Sequence, residues 1–180
     1  YGGQTVTQYR IMPSVFADMT LTSVTIGTGV TSVGSGAFEN CTRLTEVHIS
    51  DLGVWCAIDF DDESANPLSV AGALYLNGNR VTELVIPENV TKIGNYAFYG
   101  CKWVGDLTIP AAVKQIGKYA FGGCDNVAEV TFENRTGWYY ALSSTATSGT
   151  SLSSSSLSNP STAAQWLTSD YSRYYWKCGV

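Results

Sequence analysis

The chain has 180 residues, of which 44% are hydrophobic and 14% charged, and its formal net charge is -5. This size suffices for one compact core or one elongated array of repeats. The mild negative charge gives no electrostatic reason to bind nucleic acid or an anionic membrane, and no apolar run approaches the roughly 18 residues that span a bilayer. We therefore expect no nucleic-acid partner and no membrane insertion of this segment. Because the first residue is Tyr1 rather than Met, we expect a segment of a longer protein.

Three segments share one pattern in register. Each has two apolar residues three positions apart followed by a glycine, then Ala-Phe, then a Cys, and finally an apolar-x-x-apolar-x-apolar run; they span residues 30–49, 90–109 and 113–132. The last two copies are 23 residues apart, as measured from Phe98 to Phe121. A degenerate copy around Phe16 comes first. Such a period predicts a solenoid, because one coil cannot bury its apolar face alone and stacked coils can.

The repeat predicts columns of equivalent side chains. The phenylalanine column is expected to stack ring upon ring and comprises Phe16, Phe38, Phe98 and Phe121. The cysteine column comprises Cys41, Cys101 and Cys124. We expect these to be buried free thiols, because stacked coils set Cβ atoms about 4.8 Å apart and a disulfide needs about 3.8 Å. Pairing of Cys56 with Cys178 stays open. Tight turns with little steric room are expected at Gly34, Gly94 and Gly117.

A longer unit, about residues 50–81, separates the first clear copy from the second. Asn77-Gly78 between apolar runs is a strong signal for a two-residue hairpin, so this unit is predicted to carry a hairpin insertion. The apolar spacing of residues 81–86 predicts a repeat strand directly after it. The acidic run at residues 61–63 lacks the ligand spacing of a known calcium loop and is expected to be a solvated loop.

The pattern resembles the BspA-like leucine-rich repeat family over roughly residues 9–132. We accordingly predict a β-rich, right-handed leucine-rich-repeat solenoid at residues 1–132, with short parallel strands, turns and short helical pieces. The resemblance implies a secreted or surface protein of host-associated bacteria, some members of the family being adhesins for host matrix and plasma proteins. It supplies no catalytic motif.

Residues 133–180 are expected to form a capping segment over the last coil, since an open solenoid end exposes apolar surface. Residues 138–140 are predicted to form one strand, residues 143–160 a Ser-rich loop, and Asn159-Pro160 the start of a short helix. From that helix Ala163, Trp166 and Leu167 are expected to face inward. The surrounding aromatic residues favour packing on the coil, and a sugar-binding aromatic patch is the alternative.

One outward position of each strand unit predicts a candidate binding face. Stacked coils would align Ser23 with a stripe of carboxylates, Glu46, Glu83, Asp106 and Glu129, beside His48. The alternative is a solvated polar face without function. Positive charge is expected on the opposite side of the coil, at Lys92, Lys114 and Lys118.

No reactive centre is predicted. His48 is the only histidine, with no orienting group suggested, and no His/Cys/Asp cluster has zinc spacing, so we expect no catalytic residue, metal or cofactor. A glycosidase would need two carboxylates in different environments in a cleft, which equivalent residues on a flat ladder do not supply.

The sequence therefore favours a non-catalytic protein-binding or adhesion module, outside the cell or on its surface, with a host or cell-surface protein or a glycan as partner. The alternatives are a structural spacer that displays another domain, and a glycan-binding module that uses the C-terminal aromatic residues.

Overall fold

The computed structural model describes residues 9–179. Its strands are β1 (Tyr9–Ile11), β2 (Ser23–Thr25), β3 (Val30–Val33), β4 (Glu46–Ile49), β5 (Asp59–Phe60), β6 (Leu74–Leu76), β7 (Asn79–Arg80), β8 (Lys92–Ile93), β9 (Leu107–Ile109), β10 (Gln115–Ile116), β11 (Val130–Phe132), β12 (Trp138–Ala141), β13 (Thr150–Ser151) and β14 (Tyr175–Cys178). Its α-helices are α1 (Leu52–Ala57), α2 (Leu68–Ala71), α3 (Ser154–Leu157) and α4 (Pro160–Gln165). A 3-10 turn spans Glu63–Ala65 and a π-helical turn spans Trp166–Asp170.

The strands stack coil upon coil in two sets. The runs that end each repeat form a first sheet block, in the order β2-β4-β6-β7, and a second sheet block, β9-β11. The runs that begin each repeat form two side sheets, in the orders β1-β3-β5 and β13-β12-β14-β10-β8. Strands of successive coils pair in parallel and equivalent slots meet, as Val24 does with Val47 and Leu107 with Val130. The stacked parallel coils predicted from the repeat are confirmed.

The phenylalanine column is interrupted in the middle. Rings stack from Phe16 to Phe38 with centroids 5.2 Å apart, and from Phe98 to Phe121 at 5.5 Å. Among residues 9–179 no ring contact joins Phe38 to Phe98, so the continuous column that the repeat predicted is wrong. The long repeat supplies a complete coil between them, and the indole of Trp55 lies there, donating a hydrogen bond to the Ala97 carbonyl at 3.1 Å.

The predicted tight turns are confirmed. A Cβ on Gly34 would lie 2.6 Å from the Pro13 nitrogen, and one on Gly117 would lie 2.5 Å from the Asn95 nitrogen. Real Cβ atoms essentially never come this close, so neighbouring coils approach closely because these positions lack a side chain.

The long repeat is a whole coil that ends in a hairpin. Strand β5 pairs in parallel with β3, and β6 pairs in parallel with β4, so residues 50–81 occupy a full turn of the solenoid. The predicted hairpin is confirmed: β6 and β7 pair antiparallel, and Asn77 and Gly78 have φ of 51° and 81°. Positive φ at both loop residues matches a type I′ turn, whose twist suits adjoining strands.

The predicted strand at residues 81–86 is wrong. Leu84 and Ile86 are buried as the repeat requires, at 4% and 3% exposure, but the segment forms no strand. The reason is that β6 already occupies the position beside β4. The parallel ladder therefore ends at the hairpin and starts again at β9.

The acidic run at residues 61–63 is exposed at Asp61 and Glu63, as expected, but specific contacts hold it in place. Asp61 pairs with Arg10 at 2.7 Å. Asp62 caps the 3-10 turn and accepts hydrogen bonds from the Ala65 and Gly36 amides and from two serine hydroxyls. Partial burial raises the pKa of Asp62, and these hydrogen bonds outweigh burial and lower it below its ordinary value.

The C-terminal segment extends a side sheet across the last coil. Strand β14 pairs antiparallel with β10 on one side and with β12 on the other, so the predicted strand at residues 138–140 is confirmed. The buried Trp176 ring stacks on Phe132 with centroids 5.9 Å apart. The predicted helix start is also confirmed, because Asn159 accepts a hydrogen bond from the Thr162 amide and Pro160 opens α4. From this helix and the turn after it, Ala163 and Leu167 are buried.

The Ser-rich stretch is more ordered than the predicted loop. Strand β13 pairs with β12, and Ser153 is the N-cap of α3, where its side chain accepts a hydrogen bond from the Ser156 amide. Serine favours helix N-caps because its hydroxyl replaces a missing backbone acceptor, which the composition alone does not show.

Candidate functional site

The first sheet block carries an outward row of side chains that crosses all four strands. Strand register aligns, from β2 to β7, Thr25, His48, Tyr75 and Arg80, which we call the outward row. All four point away from the core, since their neighbours Val47 and Leu74 are fully buried. The hairpin is what brings the last two members beside the first two.

His48 has two orienting contacts, contrary to the expectation from sequence. The Glu46 carboxylate accepts a hydrogen bond from His48 Nε2 at 3.1 Å, and the imidazole stacks on Tyr75 with centroids 4.9 Å apart and planes 20° apart. Tyr75 and Arg80 were missed as site residues. The signal that could have found Tyr75 is its place between Leu74 and Leu76 next to the hairpin turn, which directs its ring outward.

The predicted carboxylate stripe is split into two parts. In the first sheet block Ser23 lies beside Glu46, but on the other side the Val47 amide bonds to Ala73, so no carboxylate follows Glu46. Glu83 lies instead with Asp106 along a shallow groove of 130 Å³ beside the second sheet block. A continuous ladder of four carboxylates is therefore wrong.

In the second part of the stripe, Asp106 accepts hydrogen bonds from backbone amides. Strand register in β9 and β11 sets Asp106 beside Glu129. Asp106 Oδ1 accepts hydrogen bonds from the Glu129 amide at 2.8 Å and from the Ala128 amide at 3.1 Å. These two donors compensate part of the carboxylate charge, which explains how like charges can lie side by side on neighbouring strands.

The cysteine column is buried, as predicted. Cys41, Cys56, Cys101 and Cys124 are free thiols with at most 1% exposure. The Cys124 thiol donates to the Phe98 carbonyl at 3.1 Å. Burial raises the pKa of Cys124 and of Cys56 to about 12, so the nucleophilic thiolate is strongly disfavoured near neutral pH.

The pairing that the sequence left open is resolved. Cys56 lies inside α1 as a free thiol, so it does not pair with Cys178. The Cys178 sulfur lies at the C-terminal end of β14. It is 3.4 Å from the side-chain nitrogen Nδ2 of Asn134 and 3.4 Å from the backbone carbonyl oxygen of Thr136.

The opposite side of the coils is not uniformly basic, contrary to expectation. Lys92 pairs with Asp59 of the preceding coil. Lys118 lies over the Tyr96 ring, 5.7 Å from its centroid, and Lys114 is exposed. This side therefore carries both signs of charge because the long repeat contributes acidic residues to it.

The aromatic residues of the C-terminal segment divide into two groups. Trp138 and Trp176 are buried, at 2% and 1% exposure. Tyr140 is half-buried, stacks on Tyr171 at 4.6 Å and contacts Tyr174 at 4.8 Å. Tyr140 and Tyr174 line an open groove of 560 Å³ whose other lining residues are uncharged.

Within residues 9–179, no group of three or more His, Cys, Asp and Glu side chains is arranged to hold a metal ion. In the same range no helix has the length and hydropathy needed to cross a membrane.

Comparison with known families and structures gives a consistent result. A family model described as the BspA type leucine rich repeat region matches in six copies, over residues 9–54 and 71–165, which is more than half of the chain. No curated protein matches the sequence.

Three solved structures are similar to the chain. The leucine rich repeat protein TpLRR of T. pallidum is 22% identical, with 68% of this chain and 51% of that chain covered and a TM-score of 0.37. A leucine rich cell surface protein of Faecalibacterium prausnitzii A2-165 is 23% identical, with 75% and 45% covered and a TM-score of 0.41. The pneumococcal vaccine antigen PcpA is 13% identical, with 67% and 42% covered and a TM-score of 0.38. The chain thus spans about half the length, or less, of these proteins.

Proposed function

The chain belongs to the BspA-type leucine-rich repeat family, and we propose that it is a non-catalytic module that binds a protein through the first sheet block. The outward row is the observation that carries this proposal. It sets an imidazole, a tyrosine ring and a guanidinium side by side on one mixed sheet. Tyrosine and arginine dominate the energetically important positions of protein interfaces, and a solenoid offers an extended surface for them.

The contacts inside the row support a preorganised surface. His48 is fixed between Glu46 and Tyr75, so its side chain loses little rotamer freedom when a partner docks. Glu46 adds a negative charge to the sheet that carries Arg80 two strands away, which allows a partner with both signs of charge to be recognised in one orientation. The partner we propose is a host or cell-surface protein of the extracellular matrix type.

An extracellular or cell-surface location fits this role. One solved structure similar to the chain is named a cell surface protein. We propose that adhesion is the purpose of the binding.

The C-terminal segment, in this proposal, acts as the cap of a right-handed solenoid. Its support is the buried Trp176 on Phe132 and the pairing of β14 with β10, which remove apolar surface and a strand edge of the last coil from water. Deleting residues 133–180 should then expose β10 and cause aggregation, which light scattering would detect.

Binding to immobilised host matrix proteins tests the proposed function. Tyr75→Ala should weaken binding of a protein partner by about tenfold or more, because truncating a central aromatic residue costs about 2 kcal/mol at such interfaces. Glu129→Gln, an exposed change in the second sheet block, is the matched control and should leave binding intact. A partner that binds Tyr75→Ala and the unmodified chain equally well would refute the assignment to the first sheet block.

A glycan is the second candidate partner, favoured by the uncharged groove beside Tyr140 and Tyr174. Aromatic rings and hydroxyls recognise sugars without charge. Titration with neutral oligosaccharides, followed by tyrosine fluorescence, should then show saturation that Tyr174→Ala abolishes and Tyr75→Ala does not. A spacer role without any ligand predicts no response in either experiment.

A further inference from the structure

A third groove, of 330 Å³, crosses three consecutive coils on a flank of the solenoid. Glu39 lines it from the coil of β3 and β4, and Glu63 lines it from the 3-10 turn of the long repeat. Tyr99, from the following coil, closes one end, and Val70 of α2 adds apolar surface that is 39% exposed. The groove exists because the long repeat places a short helix where its neighbours have only a turn.

The charges along this groove are of one sign. Both acidic side chains are exposed, and no lysine or arginine lines the groove. The Glu39 carboxylate has no hydrogen-bond or ion-pair partner among residues 9–179. The Glu63 carboxylate, together with partial burial, raises the pKa of the Tyr99 hydroxyl above its ordinary value. The groove therefore has two carboxylates and no cation of its own to balance them.

The aromatic end of the groove is rigidly held. Tyr99 packs edge-on against Tyr96 and Tyr119, with centroids 5.4 and 6.2 Å away. Tyr96 and Tyr119 have φ of 54° and 55°, in the left-handed region where the equivalent position of an earlier coil has Gly36. Bulky residues rarely adopt this conformation, so two repeats hold a strained backbone that directs these rings towards one another.

We propose that this groove binds an arginine side chain of the protein partner, a step that rests on the protein-binding function proposed above. The guanidinium donates to Glu39 and Glu63 and lies against the Tyr99 ring, while its aliphatic stem covers Val70. A planar guanidinium suits paired carboxylates and an aromatic face better than an ammonium does, since it donates in a fixed fork and stacks. Lys118 over the Tyr96 ring shows that this tyrosine cluster already accommodates a cation.

The test uses the full chain and amide NMR titration with N-acetyl-arginine amide. The matched probe is N-acetyl-citrulline amide, which has nearly the same shape without the charge. We expect saturable shifts at Glu63, Ser64 and Tyr99 with the arginine probe, and about tenfold weaker binding of the citrulline probe, since charge-assisted hydrogen bonds are roughly twice as strong as neutral ones. Equal affinity for the two probes, or no saturable shift with either, overturns the proposal.

Variants locate the site and separate this inference from the proposed function. Glu39→Gln and Glu63→Gln should each weaken binding of the arginine probe several-fold, whereas Glu83→Gln, an acidic residue outside the groove, should not. Tyr99→Phe should keep binding, because the aromatic ring remains, and Tyr99→Leu should lose it. Unchanged binding in Glu39→Gln/Glu63→Gln overturns the site. Tyr75→Ala should leave the arginine probe unaffected, so failure of the sheet-face proposal would not be mistaken for failure of this one.

Discussion

The two sheet blocks are built from the same repeat slots, and their outward side chains have different partners. In the first block the outward side chains contact one another, as His48 contacts Glu46 and Tyr75. In the second block the outward Asp106 contacts the backbone amides of the next coil. The repeat therefore determines which side chains point inward, and the neighbouring coil determines which groups the outward side chains contact.

The hairpin is the cause of this difference. It inserts β6 and β7 beside β4, which supplies Tyr75 and Arg80 to the first block and keeps residues 84–86 from pairing with β4. In the second block no inserted strand intervenes, so β9 and β11 meet in the ordinary register and the Asp106 carboxylate, just before β9, reaches the amide of Glu129, just before β11.

The largest expected difference between the blocks concerns the phenylalanine column. Phe121→Ala should lower the free energy of unfolding by about 3–5 kcal/mol, because the ring is fully buried and stacked and its removal leaves a cavity. Phe16→Ala, at the partly exposed first coil, should cost clearly less. Urea denaturation of both variants measures this, and equal losses would mean that the two ends of the column are equally well packed.

Alkaline pH should distinguish the cysteines of the two blocks. Burial in the folded state raises the pKa of the Cys124 thiol from 9.0 to about 12. The protonated thiol therefore stabilises the fold fully below pH 9.0, and this contribution is lost as the pH rises towards 12. In that window the unfolded chain loses the thiol proton while the folded chain keeps it, so each pH unit should lower the free energy of unfolding by about 1.4 kcal/mol for each such thiol. Cys124→Ala should therefore flatten the pH dependence, measured by urea unfolding under reducing conditions.

Cys41→Ala is the matched variant from the coil of the first block. Burial also raises the pKa of Cys41, which donates to the Phe16 carbonyl at 3.0 Å, but its coil lies nearer the open end. We expect a smaller flattening than for Cys124→Ala. A slope that neither variant changes would show that the buried thiols do not govern alkaline unfolding.

The outward carboxylates provide the third comparison. Asp106→Ala should cost about 1 kcal/mol, because two amides lose their acceptor, whereas Glu46→Ala should cost less than about 0.5 kcal/mol, as exposed pairs generally do. Asp106→Asn retains the acceptor oxygen and serves as the control. Thermal or urea unfolding measures all three, and a loss in Asp106→Asn equal to that in Asp106→Ala would point to charge rather than to the hydrogen bonds.

The last and most local comparison concerns the hairpin turn alone. Gly78→Ala should cost about 1 kcal/mol or less, since alanine disfavours the positive φ of this position. Amide exchange at Val81, which donates to the Leu74 carbonyl at 2.8 Å, should accelerate. Amide exchange at Leu107, which donates to the backbone carbonyl of Glu129, should not change. Acceleration at both sites would mean that the two sheet blocks open together.

The sequence predicted which side chains of the candidate site point outward, but not which of them lie beside one another. The outward direction of Glu46, His48 and Asp106 follows from strand alternation. Tyr75 could not be placed beside His48 from sequence, because this requires knowing that β6, and not residues 84–86, pairs with β4. The tyrosine cluster behind the arginine groove was missed for a similar reason, since the left-handed backbone of Tyr96 and Tyr119 leaves no mark in residue type.

The sequence by itself determined the coils, the buried slots and the hairpin turn. It could do so because apolar spacing, close-approach glycines such as Gly34 and the Asn77-Gly78 pair act locally or recur at a fixed period. Only the tertiary structure decided where the parallel ladder breaks, which carboxylates meet and which rings stack across the long repeat. Those outcomes depend on which strand pairs with which, and strand pairing between distant segments is set by the packing of whole coils rather than by any local run of residues.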